Sequence, residues 1–173
     1  MNEVLLKTIL NSLDVVGSEL TTAVDLTKDE IKYLGNLGIE LEEREGFSKP
    51  VLIKKSEAKD FFKPEEFMCP CCDKGAVNSK VHKALNKARA IAGVPFVLNS
   101  AYRCKKHNAE VGGSETSSHM ARYAVDIKCD NSPNRYKILG GLLTAGFNRI
   151  GIADSFIHAD MDPKKSPEVV WLY

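Results

Sequence analysis

Three side chains in this sequence have the types and the setting to hold a metal. Ser117-Ser118-His119 delivers a histidine from a polar loop, and Ala124-Val125-Asp126-Ile127-Lys128-Cys129 then carries an aspartate through an apolar run. Far downstream, Phe156-Ile157-His158-Ala159-Asp160 sets a second histidine in another such run. Two imidazoles and one carboxylate are the donor set of a three-ligand zinc site whose fourth position stays open to water. Taken singly, each residue has an ordinary explanation, because a histidine in a strand is commonly a hydrogen-bonded core residue. The aspartate is harder to dismiss. A carboxylate buried in an apolar strand needs a cation, strong donors or a metal to offset its desolvation.

Strands must aim these groups. Alternation over 124–129 puts Val125, Ile127 and Cys129 on one face and Asp126 on the other, with Ala124 and Lys128. In 156–160, Phe156, His158 and Asp160 share a face, while Ile157 and Ala159 point to the core. Upstream, Phe61 to Phe67 introduces the domain, with Pro64 in a first helical turn. Val81, Leu85, Ala88 and Ile91 stripe a helix that Gly93 and Pro95 end. Phe96-Val97-Leu98 reads as a buried strand, and His107-Asn108 with Val111-Gly112-Gly113 as a loop. Pro133 opens a helix carrying Ile138, Leu139, Leu142 and Leu143 up to Gly146, and Ile150-Gly151-Ile152 and Phe156 to Met161 are closing strands. This order predicts an α+β domain over residues 56–173, a mostly antiparallel sheet flanked by helices.

Residues 1–55 read as a separate appendage. Val4, Leu5, Ile9, Leu10, Leu13 and Val16 recur at helical spacing. Thr27-Lys28-Asp29-Glu30 resembles a capping box opening a second helix through Leu34. Ile39 to Glu42 and Val51 to Ile53 suggest a hairpin. Helix, helix and hairpin faintly resemble a winged helix, but the segment holds more acids than bases, which argues against DNA binding.

Composition excludes several classes. The 173 residues carry 43% hydrophobic and 27% charged side chains, with net charge +1, which offers no electrostatic case for a nucleic-acid or membrane partner. No apolar run approaches the roughly 20 residues of a membrane helix, and the charged N-terminus is not a signal peptide. Synthesis in the cytoplasm, without membrane insertion and as a monomer, is the expectation. The five cysteines are an odd number, so a complete disulfide framework is not expected. Cys69, Cys71 and Cys72 cluster while Cys104 and Cys129 stand apart, unlike the two regular ligand pairs of a usual structural zinc site. Reduced, partly buried thiols are the simplest reading; a local metal clip or one disulfide is the alternative.

Four motifs in order give this pattern a likeness. They are Phe62-Lys63-Pro64-Glu65-Glu66-Phe67 before the cysteines, Asn99-Ser100-Ala101-Tyr102-Arg103, Asn108-x-x-Val111-Gly112-Gly113, and Ser117-x-His119-x-x-Arg122-x-Ala124-x-Asp126 with the late His158-x-Asp160. Together, over roughly residues 60–162, they resemble the zinc D-alanyl-D-alanine peptidase family, with the character of a phage endolysin. The resemblance implies one zinc per chain held by His119, Asp126 and His158. It gives Arg103 the oxyanion or a substrate carboxylate or carbonyl, and Ser117 a part in substrate binding. It implies hydrolysis of amide bonds in bacterial peptidoglycan stem peptides, at the cell wall after release or as part of a virion. Zinc would supply an acidified water and a polarised carbonyl.

Two positions depart from the family pattern. Arg122 stands where a glycine is usual. Ser155 occupies the place, three residues before the last ligand, where many members carry an acidic base, so Asp154 is expected to serve as base; Asp160 is the other candidate, though orienting His158 from behind suits it better. Two other readings compete. One is a domain of the same fold that holds zinc and binds cell wall or protein without cutting. The other is a zinc-ribbon-like nucleic-acid binder built on the cysteines.

Overall fold

In a computed structural model the chain forms two compact units, Met1–Lys59 and Asp60–Tyr173. The residues described are three short strands and Leu34 in the first unit, and all of the second. In the first unit β3 (Val51–Lys54) runs antiparallel to both β1 (Glu19–Leu20) and β2 (Ile39–Glu42). The β2–β3 pair corresponds to the hairpin strands expected from alternation. The expected helix over Val4 to Val16 and the start of the one from Thr27 lie outside the described residues; Leu34 is helical and buried.

The second unit begins with a 3₁₀ turn, Pro64–Phe67. The Lys63 backbone N–H donates to Glu66 Oε1 at 2.8 Å, and the Phe62 and Phe67 rings meet at 5.6 Å in the core. Helix α1 (Ser79–Ala92) starts where Asn78 accepts from the Lys80 N–H, and ends at Gly93 with φ +64. After β4 (Leu98–Ser100) and the short helix α2 (Lys105–Glu110) comes β5 (Ala124–Lys128). Helix α3 (Ser132–Thr144), strands β6 (Arg149–Ile152) and β7 (Phe156–Asp160), and edge strand β8 (Val169–Leu172) complete it. The sheet order is β4-β5-β7-β6-β8, antiparallel throughout except for the β6–β8 pair. This is the α+β architecture with a mostly antiparallel sheet.

Alternation divides the sheet between two tasks. Val125, Ile127, Ile150, Ile157 and Ala159 join Val81, Leu85, Ala88, Ile138 and Leu142 of α1 and α3 in one buried cluster. Asp126, His158 and Asp160 face away from it. The two helices approach closely because α3 presents Gly141, where a Cβ would lie 2.5 Å from the Ala88 carbonyl oxygen.

Three elements differ from expectation. The strand expected at Phe96 begins two residues later: Phe96 is buried, but Val97 is 55% exposed and precedes the ladder. His107 and Asn108 belong to α2 rather than a loop, because the Cys104 Sγ caps that helix by accepting from the His107 N–H at 3.4 Å. Strand β8 was not foreseen. Arg122 has φ +69, a left-handed conformation that costs a side-chain-bearing residue about 1–2 kcal/mol relative to glycine. Its carbonyl accepts from the Asn78 N–H at 2.7 Å, and its guanidinium lies 5.4 Å from the Tyr102 ring.

Adjacent glycines in α3 offer a controlled test of the helix contact. Gly141→Ala is expected to cost roughly 1–3 kcal/mol by overpacking, despite alanine's helix propensity. Gly140→Ala, where a Cβ meets nothing within 4 Å, should raise stability by up to about 1 kcal/mol. Denaturant unfolding of the two variants checks both signs.

Candidate metal centre

The ladder between β5 and β7 sets Asp126 directly opposite His158 and Ala124 opposite Asp160. Partners in register project from the same sheet face. His119 arrives from the loop before β5, which is stapled by Tyr123 N–H to the Ser118 carbonyl and Arg122 N–H to the His119 carbonyl. All three side chains are buried. His119 Nε2 lies 3.2 Å from Asp126 Oδ1 and 3.2 Å from His158 Nδ1, and His158 Nδ1 lies 2.8 Å from Asp126 Oδ1. Ligands of a tetrahedral zinc at roughly 2.0–2.2 Å stand roughly 3.3–3.6 Å apart. The triad therefore fits an ion after spreading slightly.

The outward-facing nitrogens are also fixed. His119 Nδ1 donates to the Ala101 carbonyl at 2.6 Å, which leaves the Nε2 lone pair toward the triad. His158 Nε2 lies 3.1 Å from Asp160 Oδ2, leaving Nδ1 inward. Asp160 is held in turn by Arg149 Nε at 3.0 Å and by the Asp162 N–H at 3.1 Å. Backbone and carboxylate partners behind metal-binding imidazoles are the usual way of fixing tautomer and raising basicity. Two nitrogens and one oxygen converge with supported tautomers, so the donor set fits zinc.

Electrostatics point the same way. Burial would raise the Asp126 carboxyl, but the close pairing with His119 and His158 outweighs it and holds the group far below the usual carboxylate range. For His158, burial disfavours the charged ring, yet the bonds to Asp126 and Asp160 raise its pKa. Burial likewise opposes ionisation of Asp160, and His158 and the Asp162 N–H overcome it. The two carboxylates beside His158 favour its protonated ring. A cation in that place would meet the same demand.

The triad lies on the wall of a cleft of about 640 Å³. Arg103 lines it too, donating through Nη2 to Asp126 Oδ2 and through Nε to Ser100 Oγ at 2.7 Å. Ser117 is on the wall, and its Oγ accepts from the His119 N–H at 3.3 Å. Asn108 bonds the carbonyls of Gly113 and Ser114 at 3.1 and 2.9 Å, tying down the loop that forms one rim. A Cβ on Gly113 would lie 2.3 Å from Asn108 Oδ1, so Asn108 and Gly113 require each other.

The structure does not bring Asp154 to the cleft. It is exposed in the β6–β7 turn, where its carbonyl accepts from Arg135. Asp160 is on the cleft wall, with its oxygens already engaged behind His158. Arg149, Lys165, Trp171 and Tyr173, none of them expected from sequence, also line the cleft. Trp171 lies across Gly151, whose absent side chain leaves room for the indole 5.4 Å from the His158 ring. Val169-Val170-Trp171-Leu172 is an unbroken apolar run whose alternation of exposure appears only in the fold, so the sequence carried no signal for these residues.

A cleft lined by two imidazoles and a carboxylate is an arrangement that metal-assisted hydrolysis can use. Comparison makes the assignment narrower: a family model described as Peptidase M15 matches residues 60–160. The chain belongs to that family, the zinc D-alanyl-D-alanine peptidases, and is a zinc metallopeptidase by membership. No curated protein sequence matches it. Among the described residues, no helix is long and apolar enough to cross a membrane.

Two measurements probe the centre. His158, with its raised pKa, stabilises the metal-free fold fully below its unfolded value of about 6.5, and that contribution is lost as pH rises through the raised value. Asp126 and Asp160, with lowered pKa values, contribute fully above about 3.9 and lose that contribution as pH falls through the lowered values. Thermal melts in chelator should therefore show the second unit most stable at roughly pH 4–6.5, and zinc should move the optimum upward because it requires the unprotonated His158 Nδ1. An optimum above pH 7 without metal would contradict this. Asp160→Asn is expected to weaken zinc binding by about 10–100-fold, measured by competition with a chromophoric chelator.

Proposed function

We propose that the protein cleaves amide bonds in the stem peptides of bacterial peptidoglycan, as a phage-type lysin acting at the cell wall. The observation that carries this reading is the His119–Asp126–His158 triad on the wall of a cleft of about 640 Å³. His119 Nε2, Asp126 Oδ1 and His158 Nδ1 would hold one zinc ion, which supplies Lewis acidity to a scissile carbonyl and acidifies water. Arg103, held by Ser100 and Asp126, keeps part of its guanidinium for charge developing on the carbonyl oxygen or for a substrate carboxylate. Ser117 offers a hydroxyl on the same wall. Asp160 and Ala101 keep the imidazoles in the required tautomers.

Substrate recognition follows from a further residue of the cleft lining. Lys165 is half-buried there, and among the described residues no ion pair engages its ammonium. We assign it the terminal carboxylate of a stem peptide, which favours a carboxypeptidase over an endopeptidase. Arg149 is already committed to Asp160 and packs 5.6 Å from the Trp171 ring. A proton acceptor must reach the cleft, and Asp154 stands outside it, so a non-cutting zinc domain is the second reading.

Mass spectrometry of defined stem peptides tests the proposal. Zinc-loaded protein should release a terminal residue, and chelated protein should release none; stoichiometric zinc without any fragment would favour the non-cutting reading. Lys165→Met should lower kcat/KM roughly 10–100-fold for a peptide with a free carboxylate, the scale of one charged hydrogen bond, and leave the amidated peptide unchanged. Asp154→Ala, read by the same assay, is expected to retain hydrolysis. A loss of about 10²-fold or more with zinc still bound would reinstate Asp154 as the base.

A further inference from the structure

The cysteines are the second cluster of metal-binding groups. The fold carries Cys104 to the three cysteines from which it is separated in sequence. The Sγ atoms of Cys69, Cys71, Cys72 and Cys104 all lie within 4.8 Å of one another, and all four are free thiols. Cys69 and Cys71 are 3.6 Å apart, and Cys71 and Cys104 are 3.3 Å apart. A disulfide would need about 2.05 Å between one pair and would leave the other two sulfurs idle. Four sulfurs at roughly 2.3 Å from a tetrahedral ion stand roughly 3.8 Å apart. The observed separations lie close to that value.

The backbone around the sulfurs is built to hold them. Cys69 pairs with Lys74 in a tight turn, where the N–H groups of Cys72 and Asp73 both donate to the Cys69 carbonyl, at 3.3 and 2.9 Å. Asp73 accepts φ +50 and Gly75 φ +88 to close it. A Cβ on Gly75 would sit 2.1 Å from the Tyr102 ring, so the turn is pressed against the segment that carries Arg103 and Cys104. Two N–H groups point at sulfur: Cys104 N to Cys69 Sγ and His107 N to Cys104 Sγ, both at 3.4 Å. Such donors favour thiolate over thiol. None of the four cysteines lines the cleft.

We propose that Cys69, Cys71, Cys72 and Cys104 bind a second zinc ion, closed and structural, that fastens the 69–75 turn to the N-terminus of α2 beside Arg103. Binding replaces thiol protons, which pass to solvent. The ion has no open position and takes no part in hydrolysis. It fixes the backbone from which Arg103 reaches Asp126, and it raises the expected content from one zinc per chain to two.

Metal analysis of the full chain separates this site from the first. Wild type should hold two zinc ions per chain, and the His119→Ala, His158→Ala variant should keep one. Cobalt loaded into that variant should show intense thiolate-to-cobalt charge-transfer absorption. Cys71→Ser with Cys104→Ser should abolish that absorption; should this variant fail to fold, thiol titration of the wild type decides. Zinc should then protect four thiols from an aromatic disulfide reagent, and chelation should release them. A folded histidine variant without zinc, a cobalt spectrum lacking thiolate bands, or a Cys71–Cys104 disulfide in zinc-replete protein would each overturn the proposal. These readouts are independent of whether any peptide is cut.

Discussion

The register of β5 against β7 is the constraint on which the rest depends. Asp126 opposite His158 puts a carboxylate and an imidazole within 2.8 Å on one face, while Val125, Ile127, Ile157 and Ala159 fill the core on the other. A slip of either strand by one residue would turn its polar group into the apolar cluster and its apolar ones outward, so the hydrophobic pattern itself holds the site in place. The core and the metal centre are two consequences of one alternation.

Burying so many ionisable groups together demands compensation, and the surrounding elements supply it. Asp126 meets Arg103, and Asp160 meets Arg149 and the Asp162 N–H. Each arginine is fixed by a further partner, Ser100 for Arg103 and the Ser166 carbonyl for Arg149. Removing one member of such a network leaves a buried charge unpaired, which is far costlier than the pair is stabilising. The motifs around the triad make sense in these terms. Ser100, Ala101 and Arg103 lie in one stretch, and all three hold the site: Ser100 anchors the guanidinium, the Ala101 carbonyl orients His119, and Arg103 meets the carboxylate.

The sequence made the triad legible because its chemistry is local: each ligand sits in a short segment whose alternation states its face. The helices at Val81 and Ile138 were legible for the same reason, with Gly93, Pro133 and Gly146 marking three of their ends; the Asn78 cap emerged only in the fold. What depends on long-range contact was not. Cys104 reads as isolated until the fold sets it against Cys69 and Cys71. Helix α2 is too short for a periodic stripe and is capped by a cysteine sulfur, an uncommon signal. Strand β8 pairs in parallel at the sheet edge after a turn-rich stretch, so Trp171 and Lys165 gave no hint of lining the cleft. Asp154 was chosen by proximity in sequence to His158. The β6–β7 turn exposes it because residue parity and turn geometry, not distance along the chain, decide what enters the cleft.

The most direct test of the central claim is a zinc-edge anomalous difference map of crystals grown with zinc. It should show a peak about 2.0–2.2 Å from His119 Nε2, Asp126 Oδ1 and His158 Nδ1 together. No peak among these three atoms at saturating zinc, or coordination through the opposite nitrogen of either ring, would contradict the account.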